Sequence, residues 1–342
     1  MIRVGVVGYG YWGPNLVRNF SDVAGCEVAA VCDLSADRRA LATRRHPSVA
    51  AVSDPLDLIR DPAIDAIIIA TPVSSHYQLA MDALAAGKHV WVEKPLTLNS
   101  MQAERLVDQA DRVGRTLLVD HTFTYTTAVR KMRELVAGDG LGKIYYYDSV
   151  RVNLGLFQHD VNVIWDLAVH DLSIMDYVLD EKPIAVSATG MAHVPGQPEN
   201  IAYLTLFYPS SMIAHVHVNW LAPVKVRRTL VGGSRKMIVY DDLEPSEKIK
   251  VYDKGLTLRD NPESVYQRLA GYRSGDMWAP QLELSEALHT EATHFVKCIM
   301  SGETPITDGR AGLRVVRILE AASQSMRDRG HVIELEANRW AA

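Results

Sequence analysis

The sequence predicts an α/β chain with two domains. A doubly wound parallel sheet is expected over residues 1–122, and an α+β domain with an open, mostly antiparallel sheet over 123–342. Three observations support this division: apolar runs alternate with helical patterns in the first third, a glycine-rich turn follows the first run, and period-two strand patterns dominate after about residue 122. A chain of 342 residues is also long for one domain, and the last helices could pack back on the first.

In the first domain, short runs rich in valine and isoleucine predict buried parallel strands with helices on both faces. The predicted strands are 2–7, 27–32, 66–70, 89–92 and 116–119. The predicted helices are 14–20, 35–45, 55–60, 75–86 and 100–113. Ser74 or Ser75 can cap the helix at 75–86, which Gly87 ends, and Asn99 or Ser100 can cap the next helix.

In the second domain, alternating apolar and polar residues predict a sheet with one covered face. The predicted strands are 143–153, 184–193, 201–208, 212–220, 226–232, 236–240 and 248–252, and the predicted helices are 126–138, 163–179, 284–300 and 309–329. The segment 253–283 has no clear period and is expected to be partly irregular. His215, His217 and Asn219 share one sheet face, which we interpret as a solvent or interface face, because no third zinc ligand has suitable spacing.

The glycine-rich turn is typical of dinucleotide binding. It reads Gly8-Tyr9-Gly10-Tyr11-Trp12-Gly13 and lies between a predicted strand and a predicted helix. Gly8 permits a tight turn, Gly10 lets the backbone approach a pyrophosphate, and Gly13 lets the helix pack closely on the strand. Asp33 ends the next strand, where a carboxylate can accept hydrogen bonds from a ribose diol. A merely structural glycine turn is the alternative.

The type of dinucleotide depends on the same segment. Asp33 favours NAD over NADP because a carboxylate repels a 2′-phosphate. Arg38 and Arg39 follow closely in sequence and leave NADP open, although surface charge on a helix is the simpler interpretation. We also expect Tyr11 and Trp12, on the turn itself, to contact the cofactor.

Composition argues against several other classes of partner. The net charge of −5 comes without a lysine or arginine run, so we expect no nucleic acid partner. The longest apolar stretches have the length of strands, and no signal-type segment is visible, which predicts a cytoplasmic protein without membrane contact. Cys26, Cys32 and Cys298 lack metal-type spacing, and we expect no metal.

A lysine follows the predicted strand 89–92, at the edge of the sheet where ligands bind. Lys94 lies in the segment Glu93-Lys94-Pro95, and carboxyl ends of parallel strands line the ligand crevice. The ammonium of Lys94 could stabilise a developing alkoxide, and Glu93 could pair with it or reach a ribose hydroxyl. A solvated loop lysine is the alternative.

A second candidate pair lies in the predicted helix 163–179. Asp166 and His170 are four residues apart, so in an α-helix they share a face, whereas most of this helix is apolar. A histidine titrates near neutrality, and a neighbouring carboxylate orients it, so His170 could serve as a general base. An ordinary solvated pair is the alternative.

Taken together, these segments resemble the glucose–fructose oxidoreductase / inositol dehydrogenase / MocA (Gfo/Idh/MocA) family. The resemblance covers nearly the whole chain and depends on the glycine turn, on Ala70-Thr71-Pro72 followed by His76, on Glu93-Lys94-Pro95, and on Asp166-x-x-x-His170. It implies an NAD(P)-binding Rossmann domain and a substrate-binding and oligomerisation domain whose open sheet joins a homodimer or homotetramer. It also implies that Lys94, Asp166 and His170 are catalytic, that Thr71, Pro72 and His76 line the cofactor cleft, and that the Lys94–Pro95 bond is cis.

The substrate segment departs from many relatives, which carry a glycine cluster before the aspartate. Here Asn162-Val163-Ile164-Trp165 precedes Asp166, a form closest to members that act on nucleotide-linked or otherwise derivatised sugars. The candidate substrate contacts are His121, Tyr125, Asn153, His159 and Trp165. For His121 and Tyr125, packing at the domain junction is an equal alternative.

The sequence thus predicts an NAD(P)-dependent oxidoreductase that acts on CH–OH groups. It would transfer a hydride between nicotinamide and a secondary alcohol or ketone of a sugar, cyclitol or nucleotide-linked sugar. One alternative is a non-catalytic dinucleotide sensor, which would have no need of the lysine, aspartate and histidine. Another is an enzyme that recycles bound NAD during glycoside cleavage or a dismutation between two sugars.

Overall fold

The computed structural model describes residues 1–155, 161–258 and 270–335. The chain divides into two units. Met1–Thr126 and Ser285–Glu320 form the first, and Thr127–Leu284 and the residues from Ala321 onward form the second. The first unit is therefore assembled from two separate stretches of sequence.

A parallel sheet forms the centre of the first unit. Its strands are β1 (Ile2–Val7), β2 (Cys26–Cys32), β3 (Ala50–Val52), β4 (Ala66–Ile69), β5 (His89–Glu93) and β6 (Leu117–Asp120). They are arranged in the order β3-β2-β1-β4-β5-β6, and the order reverses between β1 and β4. The carboxyl edge at such a switch point is where doubly wound sheets bind ligands. This architecture confirms the predicted fold, but β3 was missed because three residues are too few to show a period.

The second unit contains a larger mixed sheet. Its strands are β7 (Ile144–Leu154), β8 (Ala185–Met191), β9 (Ile201–Phe207), β10 (Ile213–Asn219), β11 (Leu221–Gly233), β12 (Met237–Asp241), β13 (Ile249–Tyr252), β16 (Met277–Trp278) and β17 (Ile333–Glu334), and a separate pair is formed by β14 (Gly255–Leu258) and β15 (Ala270–Arg273). The order is β16-β13-β12-β11-β7-β10-β9-β8-β17. β7 and β10 run parallel and the other pairs antiparallel. The mostly antiparallel sheet is confirmed, and the segment expected to be irregular contributes short strands.

One face of the larger sheet is covered, as the alternation predicts. Along β10, Ala214, Val216 and Val218 are buried, whereas His215 is exposed and His217 half-buried. The exposed ring of Tyr203 on β9 stacks on His217 with ring centroids 4.4 Å apart. The two histidines thus lie on the uncovered face.

The helices mostly follow the predicted boundaries. Within the described residues they are α1 (Gly13–Asp22), α2 (Ala36–Arg45), α3 (Pro55–Arg60), α4 (Val73–Ala85), α5 (Ser100–Val113), α6 (Thr127–Ala137), α7 (Val169–Val178), α8 (Ala287–Ser301) and α9 (Gly309–Arg327). In that part of the chain, every helix falls short of the length and hydropathy needed to cross a membrane.

The helix caps confirm one prediction and correct another. Asn99 caps α5 by accepting a hydrogen bond from the backbone N–H of Gln102. The cap predicted at Ser74 or Ser75 is wrong, because α4 begins directly after Pro72, whose ring has a φ of −59°, and has no side-chain cap. The hydroxyl of Ser75 instead donates to the carbonyl of Pro72. Gly87 follows the end of α4 with a φ of +77°, as expected of a helix stop.

Helix α8 is part of the core of the first unit. Its Phe295 lies edge-on to Trp91 of β5 and to Phe20 of α1, with ring centroids 5.6 and 6.2 Å away, and all three side chains are fully buried. Edge-to-face aromatic contacts stabilise a core beyond the area they bury. The late stretch of sequence therefore completes the hydrophobic core around the parallel sheet.

Candidate active site

The glycine turn after β1 is shaped by contacts that exclude side chains. Gly8 has a φ of +98°, and a Cβ there would lie 2.5 Å from the carbonyl oxygen of Ala70. A Cβ at Gly13 would lie 2.3 Å from the carbonyl oxygen of Gly8. At Gly10, by contrast, a Cβ would meet nothing nearer than the guanidinium of Arg38 at 3.6 Å. Gly8 and Gly13 are thus required by packing, whereas Gly10 leaves the backbone accessible to a ligand.

The N-terminus of α1 is available to an anion. Trp12 occupies the N-cap position and makes no side-chain cap hydrogen bond. Tyr11, which is 85% exposed, and Trp12 lie edge to face with ring centroids 5.5 Å apart. A helix N-terminus carries partial positive charge and N–H donors, so this turn suits a pyrophosphate.

Asp33 directly follows β2, and hydrogen bonds fix its carboxylate in position. Its carboxylate is buried and accepts hydrogen bonds from the backbone N–H groups of Tyr9 and Ser35, each 2.8 Å long. Arg38 Nη1 lies 3.7 Å from the same carboxylate. The guanidinium of Arg39 binds the backbone, where it donates to the carbonyl oxygens of Asp33 and Leu34. With the open Gly10 and the uncapped helix, these residues fit NAD.

His76 joins two loops at the carboxyl edge of the sheet. The ring is buried, with Nε2 2.8 Å from the carbonyl oxygen of Thr71 and Nδ1 2.9 Å from that of Pro95. Burial lowers the pKa of His76, so the neutral ring donates from one nitrogen at a time. The Lys94–Pro95 bond is cis, as the resemblance implied. This geometry favours a supporting role for His76, which links the backbone at Thr71 to the backbone at Pro95.

Lys94 follows β5 at the carboxyl edge and is half-buried. Its neighbour Glu93 is buried beside Asp120, the register partner on β6. Burial, and next the charge of Asp120, raises the pKa of Glu93 well above its usual range, and Lys94 opposes this rise. The sequence interpretation missed Asp120, although its place at the end of the adjacent parallel strand could have indicated it. It also missed Glu291, an acid on the apolar stripe of α8.

The segment with Asp166 begins with a π-helical turn over Ile164–Ala168, which α7 continues from Val169. The prediction of an α-helix over 163–179 is therefore wrong at its start, because a π turn takes an extra residue per turn. Both Asp166 and His170 are half-buried. The indole Nε1 of buried Trp220 donates to Asp166 Oδ2 at 3.1 Å. Trp220 was not among the predicted site residues.

A buried ion pair anchors the helix immediately after His170. Arg151 Nε lies 2.7 Å from Asp171 Oδ2, and the hydroxyl of Ser149 donates to Oδ1 at 2.6 Å. The hydroxyl of Tyr147 donates to the backbone carbonyl of Asp171 at 3.2 Å. Three residues of β7 thus hold the first turn of α7, which carries His170.

The candidate substrate contacts differ in accessibility. Tyr125 is fully buried with its hydroxyl 3.1 Å from that of Thr307, which favours the packing interpretation, and His121 is buried as well. Asn153 is half-buried on β7, and Trp165 is half-buried with Nε1 donating to the hydroxyl of Ser323 at 2.9 Å. His159 lies outside the described residues.

Comparison with known families decides the affiliation. Residues 2–121 match the family described as "Oxidoreductase family, NAD-binding Rossmann fold", and residues 129–239 match the "GFO/IDH/MocA C-terminal domain". The chain belongs to the Gfo/Idh/MocA family. It is accordingly an oxidoreductase with an NAD-binding Rossmann domain, as the sequence motifs predicted.

Named members of the Gfo/Idh/MocA family match the chain over nearly its full length. Myo-inositol 2-dehydrogenase of Thermotoga maritima is 24% identical and is aligned over 97% of this chain and 98% of its own. UDP-N-acetylglucosamine 3-dehydrogenase of Acidithiobacillus ferrooxidans is 27% identical, over 92% and 94%. The crystal structure of an Agrobacterium radiobacter oxidoreductase in complex with NAD⁺, L-tartaric acid and magnesium has a TM-score of 0.81 at 20% identity, covering 97% of this chain and 98% of that one. The last likeness concerns the fold.

Proposed function

We propose that this protein is an NAD-dependent dehydrogenase that acts on a secondary alcohol or ketone of a sugar, cyclitol or nucleotide-linked sugar. The observation that carries the proposal is the placement of Lys94 in the first unit. It follows β5 at the same carboxyl edge as the glycine turn after β1 and Asp33 after β2. The names of the inositol and UDP-N-acetylglucosamine dehydrogenases support the substrate class.

Each candidate residue has a distinct chemical task. The glycine turn, the N-terminus of α1 and Asp33 would hold NAD⁺, which would supply the hydride acceptor for the alcohol carbon. The alcohol would become a ketone as a base takes its hydroxyl proton. His170 accepts this proton, and Asp166, held by the indole of Trp220, orients the base or the substrate. The ammonium of Lys94 stabilises negative charge on the substrate oxygen. In the reverse direction, His170 returns the proton.

The state of Asp33 supports NAD over NADP. Its carboxylate is already fixed by two backbone N–H groups, and a 2′-phosphate would bring negative charge against it. Titration of the protein with NADH and NADPH, followed by cofactor fluorescence, tests this. We expect NADH to bind at least about tenfold more tightly than NADPH. Asp33→Ala should reduce this difference in affinity, because Arg38 can then approach the 2′-phosphate. Equal affinities in the unchanged protein would contradict it.

Turnover of variants tests the catalytic assignment. Lys94→Ala and His170→Ala should each lower kcat/KM about 100-fold or more, whereas affinity for NADH should change less than about threefold. Lys143→Ala, at an exposed lysine, is the matched control and should behave like the unchanged protein. Unchanged turnover in both active-site variants would refute the roles. Cofactor binding without any reaction across a panel of inositols, sugars and nucleotide sugars would instead favour a dinucleotide sensor.

The uncovered face of the larger sheet is the proposed contact between copies of this chain. Tyr203 on β9 and Ile213 on β10 are exposed large side chains on the same face as His215 and His217. Apolar side chains grouped on an open sheet face favour association. We expect a dimer or tetramer by light scattering, and Tyr203→Glu with Ile213→Glu should shift it toward the monomer. A monomer in the unchanged protein would contradict this assembly.

A further inference from the structure

Three carboxyl groups are buried together in the first unit. Glu93 and Asp120 are register partners at the ends of β5 and β6, and they are 7% and 3% exposed. Glu291 reaches them from α8, which packs on the turn after β6, and is 0% exposed. The hydroxyl of Thr122 donates to Asp120 Oδ1. We refer to Glu93, Asp120 and Glu291 as the acid cluster.

The acid cluster holds more carboxyl groups than it can keep ionised. Burial, followed by the charges of Asp120 and Glu93, raises the pKa of Glu291 well above its usual range. The side chains of Asp120 and Thr122 are within hydrogen-bonding reach of the Glu291 carboxyl group, and the contact with Asp120 favours the protonated form of Glu291. Like charges in one buried site cannot all ionise, so neighbouring carboxyl groups share protons.

A cation lies next to the acid cluster in sequence. Lys94 follows Glu93 and interacts with it electrostatically. Within the described residues, the titratable groups on the elements next to the cluster include His121 and Tyr125 at the turn after β6, and His294 and Cys298 on α8. The described residues hold no group of three or more His, Cys, Asp or Glu side chains arranged for a metal ion. The charge of Lys94 thus complements that of the cluster.

We propose that Glu291 is a positioning residue for the reaction: in its protonated form it donates to Asp120, so that the acid cluster carries one negative charge and holds the Lys94 ammonium in place. This inference rests on the proposed function, because Lys94 is the group that is positioned. Glu291 is 0% exposed and would act through its neighbours in the acid cluster. Glutamine at position 291 would reproduce the donor without titrating, whereas leucine would fill the space without donating.

The first experiment tests the shared protons without any substrate. A buried carboxyl group whose pKa is raised in the folded protein stabilises the fold at pH values below 4.5, its ordinary pKa. This stabilisation is lost as the pH rises. Glutamine does not titrate, so the Tm of Glu291→Gln minus that of the unchanged protein should be small near pH 4.5 and grow more positive as the pH rises above it. Glu303→Gln, at an exposed glutamate, is the control and should show a constant difference. The infrared signal of protonated carboxyl groups at neutral pH should also weaken in Glu291→Gln. A pH-independent difference with an unchanged infrared signal would overturn the shared charge.

The second experiment tests the positioning of Lys94. Glu291→Leu should lower kcat about tenfold or more while affinity for NADH stays within about threefold, and Glu291→Gln should retain kcat within about threefold at neutral pH. Equal losses in both variants, or no loss in either, would overturn the positioning role. Absence of hydride transfer in the unchanged protein would refute the proposed function instead, and the first experiment would still decide the charge of the acid cluster.

Discussion

Replacing Arg151 with leucine should lower the free energy of unfolding by about 3–5 kcal/mol, because it leaves a buried carboxylate without its cation. Arg151 and Asp171 are only 4% and 3% exposed, and their side chains meet at 2.7 and 3.3 Å. After the substitution, Ser149 would remain as the side chain that donates to the carboxylate. Replacement of the whole pair by apolar residues should cost less than the single change.

The neighbouring strand offers a matched control. Arg228 on β11 also meets a carboxylate through two nitrogens, with distances of 3.1 and 3.3 Å to Asp241 Oδ2, but its side chain is 55% exposed. Since water screens an exposed pair, Arg228→Leu should cost no more than about 1 kcal/mol. Both pairs join an arginine to an aspartate, so the difference between the two variants measures the effect of burial.

Urea unfolding followed by circular dichroism and tryptophan fluorescence measures both variants. We expect Arg151→Leu to lower the midpoint strongly at an unchanged slope, and Arg228→Leu to leave it nearly unchanged. Equal midpoints for the two variants would refute the reasoning, because burial would then have no bearing on the cost of breaking the pair.

Three further changes probe other parts of the molecule. Gly13→Ala should weaken NADH binding at least about tenfold, since a Cβ would lie 2.3 Å from the carbonyl oxygen of Gly8; cofactor fluorescence measures this, and unchanged affinity would contradict it. Trp220→Phe removes the donor to Asp166 and should lower kcat more than it changes cofactor affinity; a loss of cofactor affinity alone would contradict it. A hydrogen bond from Arg18 lowers the pKa of Glu286 to about 2. Glu286 therefore stabilises the fold at pH values above 4.5, its ordinary pKa, and this stabilisation is lost as the pH falls. Glu286→Gln should therefore flatten the decline of Tm with acid, and an unchanged decline would exclude this contribution.

The sequence predicted those features of the fold that depend on local pattern. The parallel strands were readable because each is a short apolar run next to a helix signal, and the glycine turn was readable because packing leaves no room for a side chain at Gly8 and Gly13. β3 was not readable, since Ala50-Ala51-Val52 is too short to show alternation. The π turn before α7 was missed because composition does not distinguish it from an α-helix.

The candidate site was predictable in part for a related reason. Lys94 and Asp33 could be placed from topology alone, because both directly follow parallel strands. The donor on Trp220 could not, since 54 residues separate it from Asp166 and no local pattern links them. Glu291 is a similar case, because only the tertiary structure brings α8 to the ends of β5 and β6.

The first unit consists of two separate stretches of sequence, which affects how it folds during synthesis on the ribosome. Phe295 leaves the peptidyl-transferase centre roughly 200 residues after Trp91, which at bacterial or eukaryotic speeds is a delay of about 10–40 seconds. Throughout that interval the ring surface that Phe295 later covers has no native neighbour from α8. We therefore expect the nascent first unit to expose apolar surface, of the kind that chaperones bind, until the later stretch of sequence has been synthesised.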